Sequence, residues 1–322
     1  MDKKELKDKI NEVCSNKNVR FPSEIEISTL GTMLQITIKG DTIFNNMQTD
    51  GAAFEGWAVC LKAWLPDVVN NVELAWSTPH EEEDGKNKWF HYHRFLYRVL
   101  RFNELYDWFS ISKDNQQEIE DFKKKLVGLQ NNSFSEKPKL KGEKNDRGEY
   151  VLSETVLEFV LKEYLSDLLK KKFDLDFIDR QFPVGVKQYD KQFFTGGLSA
   201  IDLWGTKDDK VTIFELKYNG NEATNIKVGI ISELFMYSCI MRDILKGLIN
   251  MPETTPNNNE QSFYEKGKKK QYRSIIARML SDRFHPLVNN QQVFDILNHQ
   301  TMEEKDIQIS YYMNTYKLLE IE

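Results

Sequence analysis

The stretch KVTIFELKY, residues 210–218, alternates with a period of two, which puts Val211, Ile213, Glu215 and Lys217 on one face of a strand and Thr212, Phe214, Leu216 and Tyr218 on the other. Both faces are apolar apart from Glu215 and Lys217, so the strand is expected at the centre of a sheet. A carboxylate and an ammonium placed there are costly unless they pair or coordinate something. The preceding run LSAIDLWG, residues 198–205, embeds a single acid, Asp202, among apolar residues. A hairpin around GTKDDK sets Asp202 across from Glu215 and Lys217, so two carboxylates and one lysine converge on a small volume.

Around this hairpin the chain falls into recognisable periods. SETVLEFVLKEYLSDLLKKK, residues 153–172, starts at a capping Ser153 and carries Val156, Leu157, Val160, Leu161, Tyr164, Leu165 and Leu168 on one stripe, which predicts an amphipathic helix. FDLDFIDRQFPVGV, GGLSAIDLWGT and KVTIFELKY read as three strands. IKVGIISELFMYSCIMRDIL, residues 226–245, is apolar nearly all round and predicts a buried helix. A polar loop, MPETTPNNNEQSFYEKGKKKQ, is expected before a strand at YRSIIARML, a helix at NQQVFDILNH and a strand at IQISYYMNTYKLLEI. The expected order is α-β-β-β-α-β-α-β.

With 322 residues, and about 150 per domain, two domains are expected. The stretch FSEKPKLKGEKNDRGEY, residues 134–150, is rich in Lys and Gly and poor in aliphatic residues, as a linker is. It sets the boundaries at an accessory or recognition domain over 1–134, a linker over 135–149 and a second domain over 150–322. Upstream, EIEISTLGTMLQITIKG and NVELAW read as strands, and AAFEGWAVCLKAWL and HYHRFLYRVLRFNELYDWFS as helices, which is an α+β arrangement over about residues 20–130.

A net charge of −6 excludes a global basic field, so any nucleic-acid site must be a local patch. Three scattered cysteines, Cys14, Cys60 and Cys239, fit neither a disulfide framework nor a zinc knuckle and point to a reducing cytoplasm. The N-terminus alternates charges, and nowhere do about 18 apolar residues run together, so a soluble, cytoplasmic protein with no membrane partner is expected. No P-loop, Ser-His-Asp set or nucleotide-binding glycine motif is present.

Asp202, Glu215 and Lys217 have a shared chemical logic. Magnesium or manganese takes oxygen ligands from one or two carboxylates and keeps other positions for water and phosphate. Such an ion polarises a phosphodiester and lowers the pKa of a bound water, while a lysine beside it orients the nucleophile or offsets the charge on phosphorus. Phosphodiester hydrolysis suits these parts best. Asp202 of IDLW and the ELK of residues 215–217 resemble the motif of the PD-(D/E)xK phosphodiesterase superfamily, the restriction-endonuclease-like nucleases, with Ile201 in the place of proline. The resemblance covers the second domain only. It implies an αβββαβ core, a mixed sheet flanked by helices within an α/β domain, together with Mg2+ or Mn2+ as cofactor and DNA as substrate. It also implies a role in restriction or phage defence, by analogy.

Two flanking acids extend the resemblance. Glu233 and Tyr237, one helical turn apart, resemble the Gln-x-x-x-Tyr element of RecB-like nucleases, with Glu in place of Gln. Members of the superfamily carry a glutamate on the first core helix that completes the metal site; Glu154 lies on the edge of the apolar stripe and Glu158 further toward solvent, which favours Glu154. The expected metal ligands are thus Asp202, Glu215 and Glu154, with Lys217 positioning water and Glu233 or Tyr237 supporting the site.

Basic candidates for nucleic-acid contact are Lys268, Lys269 and Lys270, in the densest basic run, and Arg94, Arg98 and Arg101, an arginine stripe interleaved with aromatics; for each the alternative is an ordinary solvated face. His91 and His93 fall in a helical segment, where His-x-His does not converge on a metal. Cutting both strands of a duplex needs two sites, which points to a homodimer. The competing expectation is a binding or scaffolding module of the same fold, catalytically silent or dependent on a partner protein.

Overall fold

The computed structural model describes residues 1–14, 19–79, 89–132, 147–148, 153–189, 191–196, 199–218, 228–252, 258–301, 306–317 and 320–321. The expected linker therefore lies almost wholly outside the described residues. In the N-terminal half, α1 (Lys3–Val13), β1 (Ile25–Leu30), β2 (Met33–Ile38), α2 (Phe54–Trp64), β3 (Asn71–Trp76), α3 (Trp89–Leu105), β4 (Phe109–Ile111), α4 (Lys113–Lys125) and β5 (Leu129–Asn131) follow one another. The C-terminal half runs α5 (Glu154–Glu163), α6 (Ser166–Phe173), β6 (Phe177–Pro183), β7 (Val186–Gln188), β8 (Lys191–Phe194), β9 (Ala200–Lys207), β10 (Lys210–Lys217), α7 (Gly229–Lys246) and β11 (Ile249–Asn250). It continues with α8 (Asn258–Lys268), β12 (Ser274–Ser281), α9 (Gln291–Asn298), β13 (Gln308–Lys317) and β14 (Glu320–Ile321).

The result is a mixed α and β architecture with three mixed sheets among the described residues. The largest has the order β14-β13-β12-β10-β9-β6. Its β6, β9 and β10 form an antiparallel meander, and β10, β12 and β13 run parallel, with α7 and α9 in the crossovers. β10 sits inside this sheet, as its two apolar faces require. Phe214 and Leu216 pack with Leu157 and Leu161 of α5 and Leu169 and Phe173 of α6, whereas Val211 and Ile213 pack in a second, larger core that includes α7 and α9.

The two halves share that larger core, which runs from Leu6 and Ile10 through Phe54, Trp57 and Phe102 to Phe235 and Tyr311. They also share a sheet of order β11-β5-β7-β8, in which β5 lies between strands of the C-terminal half. Helix α7 is buried from Gly229 to Leu245, since one side meets the sheet and the other meets α2 and, through Tyr97, Arg101 and Phe102, α3. Among the described residues no helix is long and apolar enough to cross a membrane.

Three expectations are corrected. The single helix over 153–172 is two helices, because the backbone breaks at Leu165 (φ −119°, ψ 12°); the break turns Leu169 and Phe173 inward and leaves Tyr164 and Leu168 exposed. The expected loop over 251–271 carries α8, held by Phe263, whose ring lies 5.3 Å from Phe182 and 5.1 Å from Trp204. The arginine stripe faces inward and not toward a nucleic-acid backbone. Arg98 pairs with Glu55 of α2, Arg101 Nε donates to Asp243 of α7 at 2.9 Å, and Arg94 Nη2 donates to the carbonyl of Asn45 at 2.9 Å. Glu55 and Asp243 are fully buried and need these cations, because a buried carboxylate left without a partner is strongly destabilising.

The seam between the halves has little free space. A Cβ on Gly229 would lie 2.0 Å from the carbonyl oxygen of Gln48, and one on Gly56 would lie 2.4 Å from that of Val228. Gly229→Ala is expected to lower the unfolding free energy by about 1–3 kcal/mol, the ordinary cost of overpacking, measured by urea titration; an unchanged midpoint contradicts this close approach.

Candidate functional site

β9 and β10 pair only as far as Phe214↔Leu203, whereas β10 stays paired with β12 to Lys217↔Ser281 and β9 with β6 to Pro183↔Ala200. The two neighbours therefore part at the carboxyl end of β10. The Asp202 carboxylate takes over a backbone donor there, accepting from the Leu216 amide at 2.7 Å. A short acidic side chain is what lets the sheet open without an orphaned N–H group.

The period of the strand aims Glu215 and Lys217 at the α7 side, and both are buried. Lys217 Nζ lies 2.6 Å from Glu215 Oε1, 3.2 Å from Glu233 Oε2 and 3.6 Å from Glu154 Oε2. Glu233 reaches it from α7, where Tyr237, four residues on, donates its hydroxyl to Glu233 Oε1 at 3.1 Å. Glu154 is the first residue of α5, after a Ser153 cap that accepts from Val156 N at 3.4 Å. With its side chain 44% exposed, Glu154 stands at the rim, its Oε1 3.5 Å from the Tyr218 amide. The five charged residues and the tyrosine expected from the sequence are thus brought together.

Glu158 is corrected: it is buried, not turned toward solvent, because Arg180 Nη1 stands 3.2 Å from its carboxylate and Gln181 Nε2 donates to it. Lys268, the last residue of α8, and Lys269 and Lys270 just beyond it are exposed but lie shortly before Ser274, which pairs with Lys210 at the opposite end of β10 from Lys217. At about 3.3 Å per residue, the length of the strand separates them from the carboxylates. His93 Nδ1 lies 3.1 Å from the carbonyl of Phe193, a packing role away from the site. One contributor carries no sequence signal at all: Gln48, from the N-terminal half, whose Nε2 donates to Glu233 Oε1.

Four carboxylates surround one ammonium, and the titration behaviour follows. Burial pushes the Glu215 carboxyl well up, and the nearby Asp202 and Glu233 carboxylates add to this against the pull of Lys217. Burial likewise raises Asp202 to about 8, opposed by Lys217 and the Leu216 amide and assisted by Glu233 and Glu158. Lys217 is held well above the usual ammonium range: burial works against its charge, but Glu215, Glu233, Asp202 and Glu154 outweigh it. Glu233 is held low, because Lys217 and hydrogen bonds from Glu215 and Gln48 overcome its burial.

The cluster offers carboxylate oxygens, the donor type a hard divalent cation takes. Glu215 Oε2 and Glu233 Oε2 are both buried and neither accepts a hydrogen bond from a protein donor. Among the described residues no group of three His, Cys, Asp or Glu side chains is arranged to hold an ion. Asp202, Glu215 and Glu154 are therefore residues that could contribute one or two oxygens each to an ion completed by water, and not a ready-made ion cage.

Compared with protein-family models, with curated proteins and with solved structures, the chain matches none.

Asp202 holds its proton more tightly in the folded protein than in the unfolded chain. Its contribution to stability is therefore present below the ordinary carboxylate pKa and is lost as pH rises toward about 8. In chelator, urea unfolding is expected to show stability falling between about pH 5 and pH 8, by at most about 1.4 kcal/mol per pH unit for this proton, and Asp202→Asn removes that part of the slope. Identical pH profiles for the two proteins contradict it.

Proposed function

We propose that the chain is a metal-dependent nuclease that hydrolyses DNA phosphodiester bonds, with the chemistry carried by residues 150–322. The observation that carries this reading is the convergence of Asp202, Glu215, Glu154 and Glu233 on the buried ammonium of Lys217, where β9 and β10 part. Support also comes from the order of elements in the six-stranded sheet. Helices α5 and α6, strands β6, β9 and β10, helix α7 and strand β12 follow the αβββαβ order that the PD-(D/E)xK resemblance implies. The site further lies at the carboxyl end of β10, where open sheets with parallel crossovers bind their ligands.

In this reading Asp202 and Glu215 hold Mg2+ or Mn2+, and Glu154 completes the set from the rim. A bound ion of this kind supplies Lewis acidity and a water of lowered pKa. Lys217 orients the nucleophilic water and offsets the charge that builds on the phosphate oxygens. Glu233 and Tyr237 hold Lys217 in register with Glu215. By analogy with nucleases of this kind, the proposed setting is restriction or phage defence.

A second reading is a nucleic-acid-binding or scaffold module with silent chemistry; the acidic net charge and the inward-facing arginines favour its scaffold form. Calorimetry separates the two: a working site takes up Mn2+ and loses it in Asp202→Asn, whereas a binding module gives DNA affinity and no metal heat.

Incubated with Mg2+ or Mn2+, the protein is expected to cut duplex or single-stranded DNA. Glu215→Gln and Lys217→Met are expected to lower the rate by at least about 100-fold with circular dichroism unchanged. Equal cleavage by wild type and both variants overturns the reading.

A further inference from the structure

We infer that Gln48, from the N-terminal half, is a positioning residue of the nuclease site, and that Asn46 and Gln48 act as one unit to hold Glu233 beside Lys217, as the second carboxylate that the ammonium can turn to when a cation takes Glu215. This rests on the reading of Glu215 and Lys217 as nuclease residues.

The geometry is a short relay. An ionised carboxylate only accepts hydrogen bonds, so the Gln48 amide must turn its Nε2 toward Glu233 Oε1. Its Oε1 then faces Asn46, whose Nδ2 donates to it at 3.1 Å, and the Gln48 backbone amide donates back to Asn46 Oδ1 at 3.2 Å. The amide can therefore be satisfied in one orientation only. Together with the Tyr237 hydroxyl it fixes Glu233 Oε1 and leaves Oε2 toward Lys217, 3.2 Å away.

The loop that carries this amide is pinned from both sides. Arg94 holds the Asn45 carbonyl, and Arg98 Nη2 donates to the Ala52 carbonyl at 2.8 Å. Trp57 Nε1 donates to the Asp50 carbonyl at 2.7 Å, and Asp50 accepts from Val228 N at 3.4 Å at the start of α7. Gly229 lets the Gln48 backbone lie directly on the helix that bears Glu233. The buried arginines of α3 thus serve the site through this loop.

The consequence concerns the sharing of Lys217. Glu215 and Glu233 compete for its ammonium, at 2.6 Å and 3.2 Å. Lys217 already lies closer to Glu215; if Glu233 swings away, the ammonium loses the second carboxylate it would move to when a cation takes Glu215. Gln48 prevents that swing.

The test uses the full-length protein, with Gln48→Met, which keeps the side-chain length without the amide, and Asn46→Ala at an exposed position. Mn2+ titration calorimetry, DNA-cleavage kinetics and thermal melting are measured on each. Gln48→Met is expected to lower kcat about 10- to 100-fold and Mn2+ affinity about tenfold, the usual effect of losing a group behind a ligand. KM for DNA stays within about twofold, because substrate binding is untouched, and melting is unchanged; Asn46→Ala shows the same pattern more weakly. Unchanged kcat and Mn2+ affinity in Gln48→Met overturn the inference, as does a loss confined to KM. If wild type binds Mn2+ without cutting DNA, the nuclease reading fails and the Mn2+ affinity of Gln48→Met alone decides the role of Gln48. If wild type binds no Mn2+, both fail.

Discussion

The buried ammonium of Lys217 is the interaction on which the rest of the structure depends. It is shared between Glu215 and Glu233 and lies within reach of Glu154, with Asp202 close enough to feel its charge. Burial, and then the neighbouring carboxylates, raise Asp202 and Glu215 despite the single ammonium, while Glu154 stays at the solvated rim. A core built for stability alone would do as well or better with apolar residues in these places. Under the proposed function, a divalent cation would bring the missing positive charge to these carboxylates.

Holding that cluster requires elements from both halves of the chain. β9 and β10 must separate to admit Asp202, and the Leu216 amide freed by the separation is satisfied by the same residue. Helix α7 must present Glu233 and Tyr237 to the strand while its other side packs under α2 and α3. Glu55 of α2 accepts from Ser232 of α7 at 2.8 Å and pairs with Arg98, and Asp243 of α7 accepts from Tyr97 at 2.7 Å. These buried polar links fix the N-terminal half on the helix that lines the site, which is how a glutamine so distant in sequence comes to touch Glu233.

What was legible in the sequence was whatever depends on local period. Glu215, Lys217 and Asp202 stood out because a two-residue alternation makes a charge among apolar neighbours visible. Glu233 and Tyr237 were legible as an i, i+4 pair on an apolar helix. The choice between Glu154 and Glu158 was read from a helix assumed continuous; Glu158 turns inward to Arg180 and Gln181, partners on a strand whose placement the helical wheel does not contain. The inward turn of the arginine stripe is not legible for the same reason, since Glu55 and Asp243, which pair with Arg98 and Arg101, lie on other helices. Helix α8 was hidden by its Asn, Glu and Lys content, although Phe263 and Tyr264 anchor it. Gln48 lies 185 residues from Glu233, and no spacing rule reaches that far.

The measurement that tests the central claim most directly is anomalous diffraction from crystals soaked in Mn2+. One anomalous peak is expected at about 2.0–2.2 Å from carboxylate oxygens of both Asp202 and Glu215, with Lys217 Nζ moved off Glu215 and kept on Glu233. Crystals that show no peak at these carboxylates, with Lys217 still bound to Glu215, would contradict the account.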